Sequence, residues 1–120
     1  MRASQFHSRK KHEEGIKVLL PLPDGSATEE FVVLQGRDSA SYRKAQAEYR
    51  DRMFKARVEE KEFDSLAEGR KLTALAIKSW SLEEPLTQEA AIELLTEAPY
   101  LLDKFDEVMQ DTKRFFVGKE

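Results

Sequence analysis

Residues 78–116 read KSWSLEEPLTQEAAIELLTEAPYLLDKFDEVMQDTKRFF, and two prolines and the only tryptophan divide this stretch into units. Trp80 is read as the close of an incoming helical pattern. Pro85, in the connector Ser81–Leu86, stops that pattern from running straight through, because proline lacks an amide hydrogen and restricts the residue before it. Thr87 stands where an N-cap belongs, with Glu89 in the first turn and Ala90, Ala91, Leu94 and Leu95 on one face. Pro99 ends that helix and suits the first turn of the next. Leu101, Leu102, Phe105, Val108, Met109, Thr112 and Phe116 then follow at spacings of three and four, predicting one longer amphipathic helix.

Upstream, Leu66, Ala67, Leu72, Leu75, Ala76 and either Ser79 or Trp80 supply the face of a preceding helix, with Leu75-Ala76-Ile77 its most buried part. The polar stretch Glu59–Asp64 either carries one helix through residues 38–80 or breaks it, and a break capped by Asp64 or Ser65 is favoured. Before it, Tyr42, Ala45, Tyr49, Met53 and Ala56 mark one helical face, with Arg43, Lys44, Arg50, Arg52, Lys55 and Arg57 between them. Asp38 or Ser39 can cap that helix. Further back, Ile16–Leu20 and Phe31–Leu34 are apolar runs with β-forming residues, and Asp24-Gly25 between them signals a tight turn. The expected fold is therefore mainly α, with four to five helices and one small antiparallel β-hairpin near the N-terminus, or α+β by strict count. The chain of 120 residues reads as a single domain, 1–120. It has a loose tail over 1–14, either unstructured or a short helix anchored by Phe6, a hairpin over 15–36 and a helical body over 38–117.

Charge distribution is more informative than the net charge of −3. Ser41 to Arg57 holds six basic residues against two acidic ones, whereas Ser81 to Asp111 holds nine acidic residues and one lysine. The two regions either neutralise each other or face two partners. No cysteine is present, which fits a reducing cytosol and removes disulfides and thiolate sites together. The opening MRASQFHSRKKHEEG lacks the apolar run of a signal peptide, and no run is long enough to span a bilayer, so no membrane partner is expected.

The residues write no catalytic, cofactor or metal site. His7 and His12 lie in the polar tail, five apart and off a common helical face, and read as solvated side chains. No nucleophile elbow surrounds a serine, and the glycines form no phosphate cradle. The pairs Glu83-Glu84 and Asp106-Glu107 fall on connector or outer helix positions. Arg43, Arg50 and Arg57 recur every seven residues, a basic face within residues 41–57 that could track phosphates. Tyr42 and Tyr49 on the opposite, apolar face make core a better reading than stacking platforms. Trp80, Tyr100 and Phe105 are candidate partner-binding aromatics, although an aromatic at helical spacing is more often core. Phe115 and Phe116 are adjacent, so they cannot both face one core, and one of them points outward or to a partner.

In order, these features resemble the short tail assembly chaperones of long, non-contractile-tailed phages. The resemblance rests on the turn Gly36-Arg37-Asp38-Ser39 with Tyr42 in the new helix, then on the basic helix and Trp80. It continues through Glu83, Glu84, Pro85 and Thr87, through Leu94, Leu95, Pro99 and Tyr100, and through Arg114-Phe115. It covers about residues 30–117, and the connector after Trp80 is shorter than the family's pattern. The resemblance implies a protein without catalysis that binds the tape measure protein and keeps it soluble until tail tube subunits polymerise around it. It implies a place in the host bacterial cytoplasm and absence from the mature particle. It also implies a longer form made by ribosomal frameshifting at Gly118-Lys119, whose added domain would recruit the tail tube protein. Self-association is left open. The reading from another class is a small DNA-binding or regulatory protein using the basic helix, although the net charge disfavours nucleic acid.

Overall fold

The computed structural model describes residues 1–117. A 3-10 turn, Ala3–Phe6, precedes α1 (Arg9–Glu14), β1 (Ile16–Leu19) and β2 (Phe31–Leu34). Then come α2 (Ala40–Val58), α3 (Ser65–Ala74), β3 (Ile77–Trp80), α4 (Gln88–Glu97), α5 (Pro99–Gln110) and α6 (Thr112–Val117). The fold is α+β and mainly α. The Gly118-Lys119 pair lies outside the described residues.

The hairpin forms as its sequence dictates. Ile16 pairs with Leu34 and Val18 with Val32, all four buried, while Lys17 and Leu19 face Val33 and Phe31 on the other side of the sheet. The connecting loop turns at Asp24-Gly25, where Gly25 takes φ +91° and the Asp24 carboxylate accepts the Ser26 amide at 2.9 Å. A left-handed residue here favours glycine.

The hairpin is not alone, however. Residues 77–80, expected at the end of a helix, form a third strand antiparallel to the far edge of β2. α3 stops at Ala74, Leu75 turns outward, and Ile77 and Trp80 pair with Leu34 and Val32. A short apolar run such as Leu75-Ala76-Ile77 suits helix and strand alike. The unpaired edge of a buried β2 decides between them, since its amides and carbonyls need partners. Gln35 N–H donates to Ala76 O at 2.8 Å and Ser81 N–H to Phe31 O at 2.9 Å, extending the ladder at both ends. Lys78 is the extra residue of a bulge opposite Val33 and Leu34.

The helix boundaries follow the caps. Ser39, fully buried, accepts the Tyr42 amide at the start of α2. Asp64 caps α3 through Ala67 at 3.0 Å, so residues 38–80 hold two helices and not one. Thr87 caps α4 through Ala90 at 3.0 Å, and Pro99 opens α5. The last helix is split: Asp111 leaves helical geometry, and α6 begins at Thr112. Residues 1–14 are not a loose tail. They form the 3-10 turn and α1, and their anchor is His12, fully buried, whereas Phe6 is 72% exposed.

α4 and α5 contribute Ala91, Leu95, Leu101, Phe105, Val108 and Met109 to a core shared with Val18, Val32, Leu34 and Ile77 of the sheet. Phe105 and Leu95 are completely buried. Trp80 and Leu94 pack against this core but are only partly buried. Truncating Phe105 to alanine should therefore cost roughly 3–5 kcal/mol in denaturant unfolding. Trp80→Ala should cost less, below about 3 kcal/mol, because part of its ring already faces water. Equal losses would show that the tryptophan carries as much of the core as Phe105 does.

Candidate functional site

The turn Gly36–Ser39 joins α1, α2 and α5 through its backbone and the Asp38 side chain. Gly36 N–H donates to His12 O at 2.9 Å, and Arg37 N–H to Met109 O at 3.2 Å. Asp38 N–H donates to His12 Nδ1 at 2.9 Å. The Asp38 carboxylate accepts the Ser8 hydroxyl at 2.6 Å and the Arg43 guanidinium at 2.8 Å. The His12 ring stacks on Phe115, centroids 4.4 Å apart. A Cβ on Gly36 would lie 2.0 Å from His12 Nδ1, so the imidazole occupies the space that glycine vacates.

His12 is thus a structural histidine in the protein interior, not a solvated one. Because Nδ1 accepts a backbone amide, the neutral ring carries its proton on Nε2. Among the described residues Nε2 is buried without a hydrogen-bond partner, and Asp38 Oδ2 is 3.8 Å away. The sequence offered no signal for this, since a histidine in a charged hexapeptide has no visible partner until the fold brings Asp38 to it.

The partner-binding candidates separate. Phe105 is core. Phe115 turns inward onto His12, and Phe116 is half exposed. Trp80 is partly buried, and its Nε1–H donates to Glu84 O at 2.8 Å, fixing the connector. Tyr100 lies at the surface, with its hydroxyl donating to Pro21 O at 2.7 Å. Only Tyr100 and Phe116 present substantial surface, and they do so on different helices. Phe54 and Val58, not singled out in the sequence, and Leu66, expected on the apolar face of its helix but standing at the first turn of α3, are each more than 60% exposed around the α2–α3 turn.

The basic face is only partly free. Arg43, Arg50 and Arg57 are exposed on α2, but Arg43 is held by Asp38. Arg52 is likewise bound, by Glu68 at 2.8 Å. Among the described residues, no group of three or more His, Asp or Glu side chains is placed to hold a metal ion, and no helix is long and apolar enough to cross a membrane. Tyr42 and Tyr49 are only half buried and border a groove of about 430 Å³ between α2, α3 and α5. Comparison with models of known protein families, with curated proteins and with solved structures finds no match.

The His12 junction gives the fold an acid-sensitive point. Burial lowers the His12 pKa, opposed by the Asp38 carboxylate and reinforced by Arg43 and Arg37. Unfolded, the ring takes up its proton near its ordinary 6.5, so just below that pH the unfolded chain binds more protons than the folded one. Its contribution is then full above about pH 6.5 and is lost as the pH falls below it. Asp38 is held below the usual carboxylate range, first by the Ser8 hydroxyl and then by Arg43, so its own contribution is lost only in stronger acid. Thermal unfolding should show Tm falling from about pH 6.5 downward, before the carboxylates titrate. In His12→Asn, which keeps an acceptor near the Nδ1 position, that early decline should disappear. An unchanged pH profile in the variant would move the acid sensitivity elsewhere.

Proposed function

We propose that this chain is a tail assembly chaperone that binds the tape measure protein of a long-tailed phage, without catalysis, and is left out of the finished particle. The observation that supports this best is the set of residues carrying the resemblance. Gly36–Ser39, Trp80, Pro85, Thr87 and Pro99 stand at junctions between elements of one fold, as turn, strand end, connector, cap and helix start. The surface suits the task. An unassembled, extended amphipathic helix exposes an apolar stripe that aggregates. A small helical protein with apolar side chains outward, here Phe54, Val58, Leu66, Tyr100 and Phe116, can cover that stripe. Acidic faces on α4 and α5 would keep the complex in solution. Small footprints repeated along a long ligand also allow each copy to be displaced as the tube grows.

The DNA-binding reading is the weaker one. Of the three arginines on its face, one is already neutralised by Asp38, and the chain as a whole is acidic.

Co-expression with a tape measure protein tests the proposal. The long helical chain should move from the insoluble to the soluble fraction when this protein is present. Equal solubility with and without it would overturn the chaperone reading. Tight DNA binding with a steep salt dependence, abolished by Arg50→Ala and Arg57→Ala, would establish the alternative. The proposal extends to a minor longer product that continues through Gly118-Lys119 into a second frame. Mass spectrometry of proteins made from the native gene region should detect it, and a slippery heptamer must cross those codons.

A further inference from the structure

The groove between α2, α3 and α5 has chemistry that the fold itself does not use. Its walls include Tyr42 and Tyr49 of α2, Gly69 and Thr73 of α3, and Asp106 and Met109 of α5. Gly69 lies in the middle of α3, where glycine is the least favourable residue after proline. At Gly36 a Cβ would strike the His12 ring, but at Gly69 it would meet nothing within 4 Å. Among the described residues no contact calls for glycine there. The missing side chain leaves space for something from outside to approach the α3 backbone.

Asp106 shows what that something carries. Its Oδ1 accepts the Thr73 hydroxyl at 2.9 Å, and the residue is only partly exposed. Among the described residues it forms no ion pair with a cation. Burial raises its pKa, Thr73 opposes this, and the neighbouring carboxylate of Asp103 raises it further. A partly desolvated carboxylate beside a second carboxylate is stabilised by a cation that reaches it. Arg37 lines the same groove, but among the described residues it makes no ion pair with Asp106. Tyrosine rings at the rim add faces over which a cation is favourable.

We infer that this groove receives an arginine or lysine side chain projecting from a helix of a partner protein, its methylene stem passing over Gly69 and its charged head reaching Asp106. The proposal rests on the chaperone reading for the identity of that partner and on the groove alone for the chemistry of the side chain.

The probe is an alanine-rich peptide of about 20 residues, long enough to be helical alone, with a central arginine, and the same peptide with glutamine or glutamate there. In amide NMR titrations of the full chain, the arginine peptide should shift Gly69, Thr73 and Asp106, and the glutamate peptide should not. Asp106→Asn, which keeps an acceptor for Thr73, should weaken binding by about tenfold or more. Gly69→Leu should abolish binding while leaving Tm unchanged or higher, since leucine is the better helix former. Loss of binding with a raised Tm cannot come from unfolding. Equal shifts from all three peptides, or shifts elsewhere on the surface, would overturn the proposal. Concentration-dependent shifts of the same amides without peptide would assign the groove to a second copy and overturn it too. In the co-expression assay, a Gly69→Leu chain that solubilises the tape measure protein as well as wild type would sink the groove proposal and leave the chaperone reading standing. Failure of wild type there would sink the chaperone reading, and the peptide titration would decide the groove by itself.

Discussion

The structure depends on the two edges of β2. Val32 and Leu34 are completely buried, so the backbone polar groups between them have no water to turn to and must be paired on both sides. β1 satisfies one edge through a local hairpin. The other edge is reached only by a segment more than forty residues further on, and everything between is arranged to deliver it. Gly36–Ser39 turns the chain out of the sheet into α2, the Glu59–Asp64 turn reverses it, and α3 brings it back beside β2. α4 and α5 then cover the sheet face that carries Val18, Val32 and Leu34.

His12 answers a different need. A turn leaving a buried strand exposes amides that no ladder pairs, and the Asp38 amide is one of them. An imidazole nitrogen is a compact acceptor that can be brought to it with little charge, and its ring can also be stacked against Phe115. The N-terminal helix, the turn before α2 and the C-terminal helix are fastened together by one side chain. The cost is a buried Nε2 without a partner among the described residues, a group that water would otherwise have bonded.

Much of this was legible in the sequence wherever the signal was local. Asp24-Gly25 announced the hairpin turn, and Thr87, Pro99 and Asp64 announced helix ends through chemistry within three residues of themselves. What was illegible depends on distant partners. Leu75-Ala76-Ile77 continues a helical pattern smoothly, and only the vacant edge of β2 makes it extended. His12 is surrounded in sequence by lysines and glutamates, and its neighbours in space come from residues 36–43 and 115. Asp111 interrupts a helical periodicity that runs on unbroken through Phe116. The groove was hidden for a related reason: Tyr42 and Tyr49 share the spacing of core residues, yet α2 packs loosely enough to leave them half open. The candidate aromatics show the same limit, since spacing identifies a helix face without saying how tightly anything covers it.

A three-stranded sheet ends in two strands with a free side, and such sides can recruit strands from other molecules into fibres. The edge strands here are four residues long. β1 carries Lys17, whose ammonium lies over the Phe31 ring at 4.3 Å. β3 carries Lys78 at the bulge that distorts its hydrogen-bonding line. A strand arriving at either side would have to desolvate a lysine, and at β3 it would also meet a broken register. The sheet is thereby closed to lateral growth without any further element to cap it, and apolar side chains can remain outward on the helices while the strands stay inert toward one another.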